Sequence, residues 1–175
     1  MVAVNGLTGT RRLASPVRLA LARQSGVHID GAWWPHTGSV ASELPELVEV
    51  LHRTLGEVVD IRVNWSPAEG QLDLDSILTG GRAVPGTKVG RPRLMLVAGR
   101  ERSVKLLVVP CRTSLNLGAL VMRCAAGMPV DAMVRGTPIF DTADRVLRIA
   151  QTESARWLAE AAATTATPET AGVSG

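Results

Sequence analysis

Between Val40 and Asn64 the hydrophobic period changes abruptly, and no other stretch restricts the fold as much. Val40, Leu44, Leu47, Val48, Leu51 and Leu55 recur at three- and four-residue steps, while Val59, Ile61 and Val63 alternate. The first pattern gives one apolar stripe on a helix and the second gives one apolar side of a strand. Glu43, Glu46, Glu49 and Arg53 fall on the opposite side of that helix. Ser39 or Ser42 can cap its first amides, and Gly56 is placed to stop it. Pro45 fits only if it lies in the first turn. A helix feeding directly into a strand excludes an all-helical bundle and requires a sheet.

The remaining periodicities extend this picture. Val17, Leu19 and Leu21 alternate as in a half-buried strand over Val17 to Arg23. Arg93–Ala98 and Ser103–Val109 are two β-runs separated by Gly99-Arg100-Glu101-Arg102, which reads as a hairpin. A further short run covers Arg82–Val84, after a polar connection over residues 65–81 with one helical turn at Leu74–Leu78. Leu106, Leu107, Val108 and Val109 are apolar on both sides, which places that strand centrally. Helices are expected over Ser114–Ala126 and from Asp141 to about Ala163, with an irregular link between Pro129 and Pro138. Hairpin linkage rather than regular βαβ alternation predicts an α+β fold: a mainly antiparallel sheet of four to five strands with about three helices packed on one face.

A chain of 175 residues suits one domain. The expected division is a flexible segment over residues 1–14, a single domain over 15–163 and a disordered tail over 164–175, where Ala, Thr, Gly, Ser and Pro dominate. The sequence contains no run of about 18 apolar residues. Arg11-Arg12 is followed by a stretch that Pro16 and Arg18 interrupt, so a cytoplasmic protein is expected.

The two cysteines, Cys111 and Cys124, form no Cys-x-x-Cys pair, and read as free thiols. Net charge is only +3, yet it is arranged in blocks: +4 over residues 1–25, −7 over 26–80, +7 over 81–112 and −1 over 113–175. Oppositely charged blocks either pair across the fold or present a two-faced surface.

Few groups suggest chemistry. Gly81-Arg82-Ala83-Val84-Pro85-Gly86-Thr87-Lys88 has Thr and Lys in the wrong order for a phosphate loop, and Pro92 follows where a helix should open. His28, Asp30 and His36 are the one imidazole–carboxylate cluster, at a spacing that matches no standard metal-ligand pattern, so no metal or cofactor is expected. Acid–base chemistry by Asp30 and His36 stays open as an enzymatic alternative.

The stronger candidate is a ligand- or partner-binding site at Asp30, Trp33, Trp34 and His36. Adjacent indoles in an extended segment point to opposite sides, so both can anchor the core, or one can face a cleft. The basic residues Arg91, Arg93, Arg100, Arg102 and Lys105, with Arg82 and Lys88, make a nucleic-acid alternative. Aromatic content of 3% removes the stacking platform of single-strand binders, leaving at most sequence-blind phosphate contact. A small molecule or a protein is therefore the expected partner, and a homodimer remains open.

Arg18-Leu19-Ala20-Leu21, Asp30-Gly31-Ala32-Trp33-Trp34-Pro35, the stretch from Glu43-Leu44-Pro45 to Leu55-Gly56, Asn64-Trp65 and Leu106-Leu107-Val108-Val109-Pro110 together resemble an actinobacterial domain family of unknown function. The resemblance spans roughly residues 17–125, leaving the C-terminal helix outside. It implies a bacterial cytoplasmic origin and a compact fold, and it carries no catalytic residue.

Overall fold

The computed structural model describes residues 16–24, 28–66, 77–78 and 91–166. The elements are β1 (Leu19–Leu21), β2 (Gly31–Trp33), α1 (Val40–Leu55), β3 (Val58–Val63), β4 (Arg93–Gly99), β5 (Ser103–Val108), α2 (Leu115–Ala125), α3 (Ala132–Arg135) and α4 (Pro138–Thr165). The expected run over Arg82–Val84, the near phosphate loop and the two terminal segments lie outside the described residues, save that α4 continues to Thr165.

Five strands form one sheet in the order β1-β2-β5-β4-β3. β1–β2, β5–β4 and β4–β3 are antiparallel, and β2–β5 is parallel, so the fold is α+β with a mostly antiparallel sheet. Those directions make β3 run parallel to β2, with α1 joining them across the β5–β4 hairpin. The sheet therefore contains a split β-α-β unit, which local periodicity did not show.

The helices cover both faces of the sheet, not one as expected. Leu47, Leu51 and Leu55 of α1 pack with Trp33, Met95, Val97, Leu106 and Val108. On the other face, Leu120 and Val121 of α2 and Ala143, Val146 and Ala150 of α4 pack with Ala32, Trp34, Leu94, Leu107 and Val109. The reason lies in the strands: two consecutive indoles, and an unbroken apolar run in β5, leave large hydrophobic area on both sides, and each side needs cover.

Boundaries follow local chemistry. Pro45 lies in the second turn of α1, on its exposed side, rather than in the first. The last helix opens at Pro138, three residues earlier than expected, because Thr137 accepts the Phe140 amide and a proline suits the first helical position. Within it Asp144 pairs with Arg148 at 2.6 Å, one turn further on. At the hairpin, Gly99 N–H donates to Arg102 O, and the amides of Arg100 and Glu101 donate to Glu57 and Leu55 carbonyls, pinning the tip to the α1–β3 turn. Gly31 lets β1 approach: a Cβ there would lie 2.0 Å from Ala20 O.

Candidate functional site

β2 and β5 are neighbours and parallel, yet the chain leaves them for opposite faces. After β2 it enters α1, and after β5 it enters α2. Where adjacent parallel strands part in this way the backbone opens a crevice beyond their carboxyl ends, the usual position of ligand sites in open sheets. A cleft lies at that point. Pro35, Thr37, Gly38 and Val40 from the β2–α1 link form one wall, and Val108, Val109, Pro110 and Cys111 at the end of β5 form the other. Arg93 completes it from the start of β4, which is antiparallel to β5 and pairs Arg93 with Val108. The volume is ≈ 30 Å³, room for about two ordered waters at 10–15 Å³ each.

Local bonding fixes the walls. Glu43, in the first turn of α1, reaches back over the link: its Oε1 accepts the His36 amide at 2.8 Å, and its Oε2 accepts the Thr37 amide and hydroxyl, each at 2.9 Å. Burial pushes the Glu43 carboxyl up, but these hydrogen bonds and the nearby His36 outweigh it and hold the group below its ordinary value. Ser39 caps the helix with no side-chain hydrogen bond.

Behind the link, Arg18 stacks 3.8 Å over the Trp34 ring. Its Nε and Nη2 donate to the carbonyls of Trp34 and Pro35 at 3.1 and 2.8 Å. Burial lowers the Arg18 pKa, while Glu43 and Cys111 pull it back up, so the guanidinium stands within the electrostatic reach of the cleft thiol. Arg93 lies over Trp65, 5.5 Å from the ring centroid.

The residues singled out from sequence are placed as follows. Trp33 and Trp34 are 2% and 3% exposed, one in each core. The Trp34 indole meets α2 at Gly118, where a Cβ would come within 2.4 Å of its Cη2. Its Nε1, and Thr113 Oγ1 just before α2, are buried with no hydrogen-bond partner among the described residues. Asp30, 1% exposed, works in the sheet. Its amide donates to Lys105 O at 2.8 Å, and its Oδ2 accepts the Lys105 amide at 2.8 Å. His36 is exposed, with Nε2 2.9 Å from Pro16 O.

Asp30 precedes β2 and His36 follows it, so the strand separates the two groups that the acid–base alternative needs in contact. His28, the third member of that cluster, has its carbonyl bonded by Ser154 Oγ at 2.6 Å. Among the described residues no group of three or more His, Cys, Asp or Glu could hold a metal.

The basic residues are dispersed. Arg91 and Arg93 stand at the start of β4, and Arg100 and Arg102 at its far end, about 20 Å away for a strand of this length. Lys105 lies on β5. Arg91 donates to Asn64 O and approaches Glu153 at 3.8 Å, and Arg100 pairs with Glu57 at 2.6 Å. The charge blocks thus pair across the fold at these points. Arg82 and Lys88 are outside the described residues.

Sequence reading missed Arg18 and Cys111 as site residues, and placed Arg93 in a different site. A usable signal existed: strand, short Pro-containing link and helix occur twice, over 31–40 and 103–115. Cys124, by contrast, lies in α2, and burial raises its thiol pKa.

No helix among the described residues is long and apolar enough to cross a membrane. Neither a curated protein nor a solved structure matches the chain. A family model does, over residues 18–125, which hold β1 to α2 and with them the whole cleft. Covered over more than half its length, the chain belongs to DUF5994, a family of unknown function.

Proposed function

We propose that this protein is a non-catalytic binding module whose recognition point is the cleft between the β2–α1 and β5–α2 links. The observation that carries the reading is the parting of two adjacent parallel strands to opposite faces of the sheet. The segment Asp30–His36 serves this site mainly as its frame. Asp30 fastens the start of β2, Trp33 and Trp34 anchor its two faces, His36 ties the link to Pro16, and Pro35 between them touches the ligand. With a volume of ≈ 30 Å³ the cleft grips one small polar end of a ligand, and the remainder lies along the surface. The resemblance in the Asp-Gly-x-Trp-Trp-Pro string supports reading the module as a cytoplasmic protein of an actinobacterium.

Cys111 provides the test, because it lines the cleft. In a Cys124→Ser background, alkylation of Cys111 by iodoacetamide is followed in the presence of pooled small metabolites. A true ligand slows alkylation at least fivefold and raises the melting temperature, since a compound at 100 times its Kd stabilises the folded state by about 2.7 kcal/mol. Pools that shift melting while Cys111 reacts at its unliganded rate would place binding elsewhere and end the assignment.

A further inference from the structure

We infer that the outer edge of β3 is a self-association surface, on which a second copy of this chain pairs antiparallel about a two-fold axis at Ile61. The surface is separate from the cleft and does not rest on the reading of that site. β3 closes one end of the sheet, and no described residue pairs with its far side. It is six residues long, against three for β1 at the opposite end.

The ladder to β4 fixes which backbone groups face outward. Asn64 N–H donates to Leu94 O, and antiparallel positions alternate between bonded and non-bonded, so Arg62 and Asp60 also bond toward β4 while Ile61 and Val63 present N–H and C=O to the outside. The irregularity in this ladder lies between Val58 and Asp60, which leaves residues 60–63 in regular register. A row of unpaired edge groups is a template for another strand, and neither proline nor lysine interrupts this one.

Charge then selects the register. An axis at Asp60 sets that carboxylate against its own copy, and an axis at Arg62 does the same to the guanidinium; like charges directly opposite are destabilising. An axis at Ile61, between them, sets Asp60 against Arg62 of the second copy, twice. The two side chains are 48% and 65% exposed and pair at 2.8 Å along their own strand, a surface contact of little strength, so both can shift across the axis. Val59 and Val63, 58% and 39% exposed, fall opposite each other in the same register, and their removal from water favours it. One short edge buries little area, so the dimer is weak and concentration-dependent.

Sedimentation velocity on the full chain, under reductant, reads the inference. Between about 1 μM and about 1 mM, a range that spans weak association, the mass should rise from 18.5 kDa toward twice that value. Asp60→Arg puts two cations on each edge and Arg62→Asp puts two anions there. Each should weaken association roughly tenfold or more, because both cross-strand pairs turn from attraction to repulsion. Mixed one to one, the two variants should associate with each other as the wild type does with itself, and a double variant carrying both changes should do so alone. Neither change should move the urea midpoint of the dilute monomer, since both side chains are exposed.

A chain that is monomeric throughout this range, or a dimer that both single variants leave intact, overturns the inference. Single variants that weaken association without recovery on mixing overturn the Ile61 register, and the assignment with it.

Discussion

The two ends of the β2–β5 pair are built from the same strands and differ in how the backbone finds its partners. At the amino end Asp30 extends the ladder beyond β2: its amide and carboxylate together engage both backbone groups of Lys105, and its carbonyl takes the Ala22 amide at 2.7 Å. At the carboxyl end the last ladder bond runs from Val109 N–H to Trp33 O, and then the chains part, one toward each face. What replaces sheet pairing there is a set of side chains: Arg18 on the Trp34 and Pro35 carbonyls, and Glu43 on the His36 and Thr37 amides. Buried backbone groups must be satisfied in either case. The second solution leaves a concave surface with a thiol and a guanidinium on it.

The sharpest way to break this contrast is to remove the indole that supports the open end. Trp34→Ala deletes a side chain packed against α2 at Gly118 and stacked under Arg18, and should lower stability by about 3–5 kcal/mol in urea unfolding, as large-to-small aromatic changes in cores do. The residual folded protein should also lose selective protection of Cys111, because Arg18 no longer has a platform. Retention of near wild-type stability would mean that Trp34 is not the anchor of the α2 face.

The closed end should respond in stability alone. Asp30→Ala leaves the partly buried Lys105 amide without its acceptor, at a cost of about 1–3 kcal/mol. Asp30→Asn keeps an acceptor oxygen and should cost less. Neither change should alter the rate of Cys111 alkylation beyond about twofold, because β2 lies between Asp30 and the cleft. A large change in Cys111 reactivity from Asp30→Asn would show that the ends are coupled and that their separation is only geometric.

The closed end was more legible in the sequence than the open one. Alternation in β1 and β5 and the stripe of α1 report which side of each element is apolar. Periodicity located seven of the nine elements seen among the described residues, missing the three-residue β2, read only as an extended segment, and the four-residue α3. In β3 the alternation misled, since Val59 and Val63 are exposed while Val58 and Ile61 pack against the core, the register shifting between Val58 and Asp60. The opposed burial of Trp33 and Trp34 followed from the two-residue period of a strand. Strand direction did not follow, since a parallel and an antiparallel partner leave the same one-chain pattern. The β2–β5 pairing therefore stayed hidden, and with it the cleft. Arg18 reads as an ordinary strand arginine until β1 is laid beside β2, and Cys111 as an inert thiol until the link after β5 is seen to turn away from Pro35. Hydrophobic order is written locally, whereas the site is made by residues about 70 positions apart meeting at the ends of two interior strands.

The smallest effect expected is the pH dependence of the open end. Glu43 has a folded-state pKa below its unfolded value, so its hydrogen bonds to the link add stability that is fully present above the ordinary glutamate range and is lost as pH falls through the lower, folded value. Glu43→Gln keeps an acceptor but removes the charge, and at pH 7 it should cost about 1 kcal/mol, a figure reduced from that of buried charge-assisted bonds because the site meets solvent. The gap between wild type and Glu43→Gln in urea midpoint should be full above the ordinary glutamate range and narrow as pH falls through the lower, folded value, below which both carry a neutral group. At pH 7 the same variant should loosen the 36–37 wall and raise Cys111 alkylation, while Asp30→Asn does not. If the midpoint gap did not narrow at all as pH falls below the ordinary glutamate range, the carboxylate would not be what holds this wall, and the difference between the two ends of the strand pair would have to be sought in Arg18 alone.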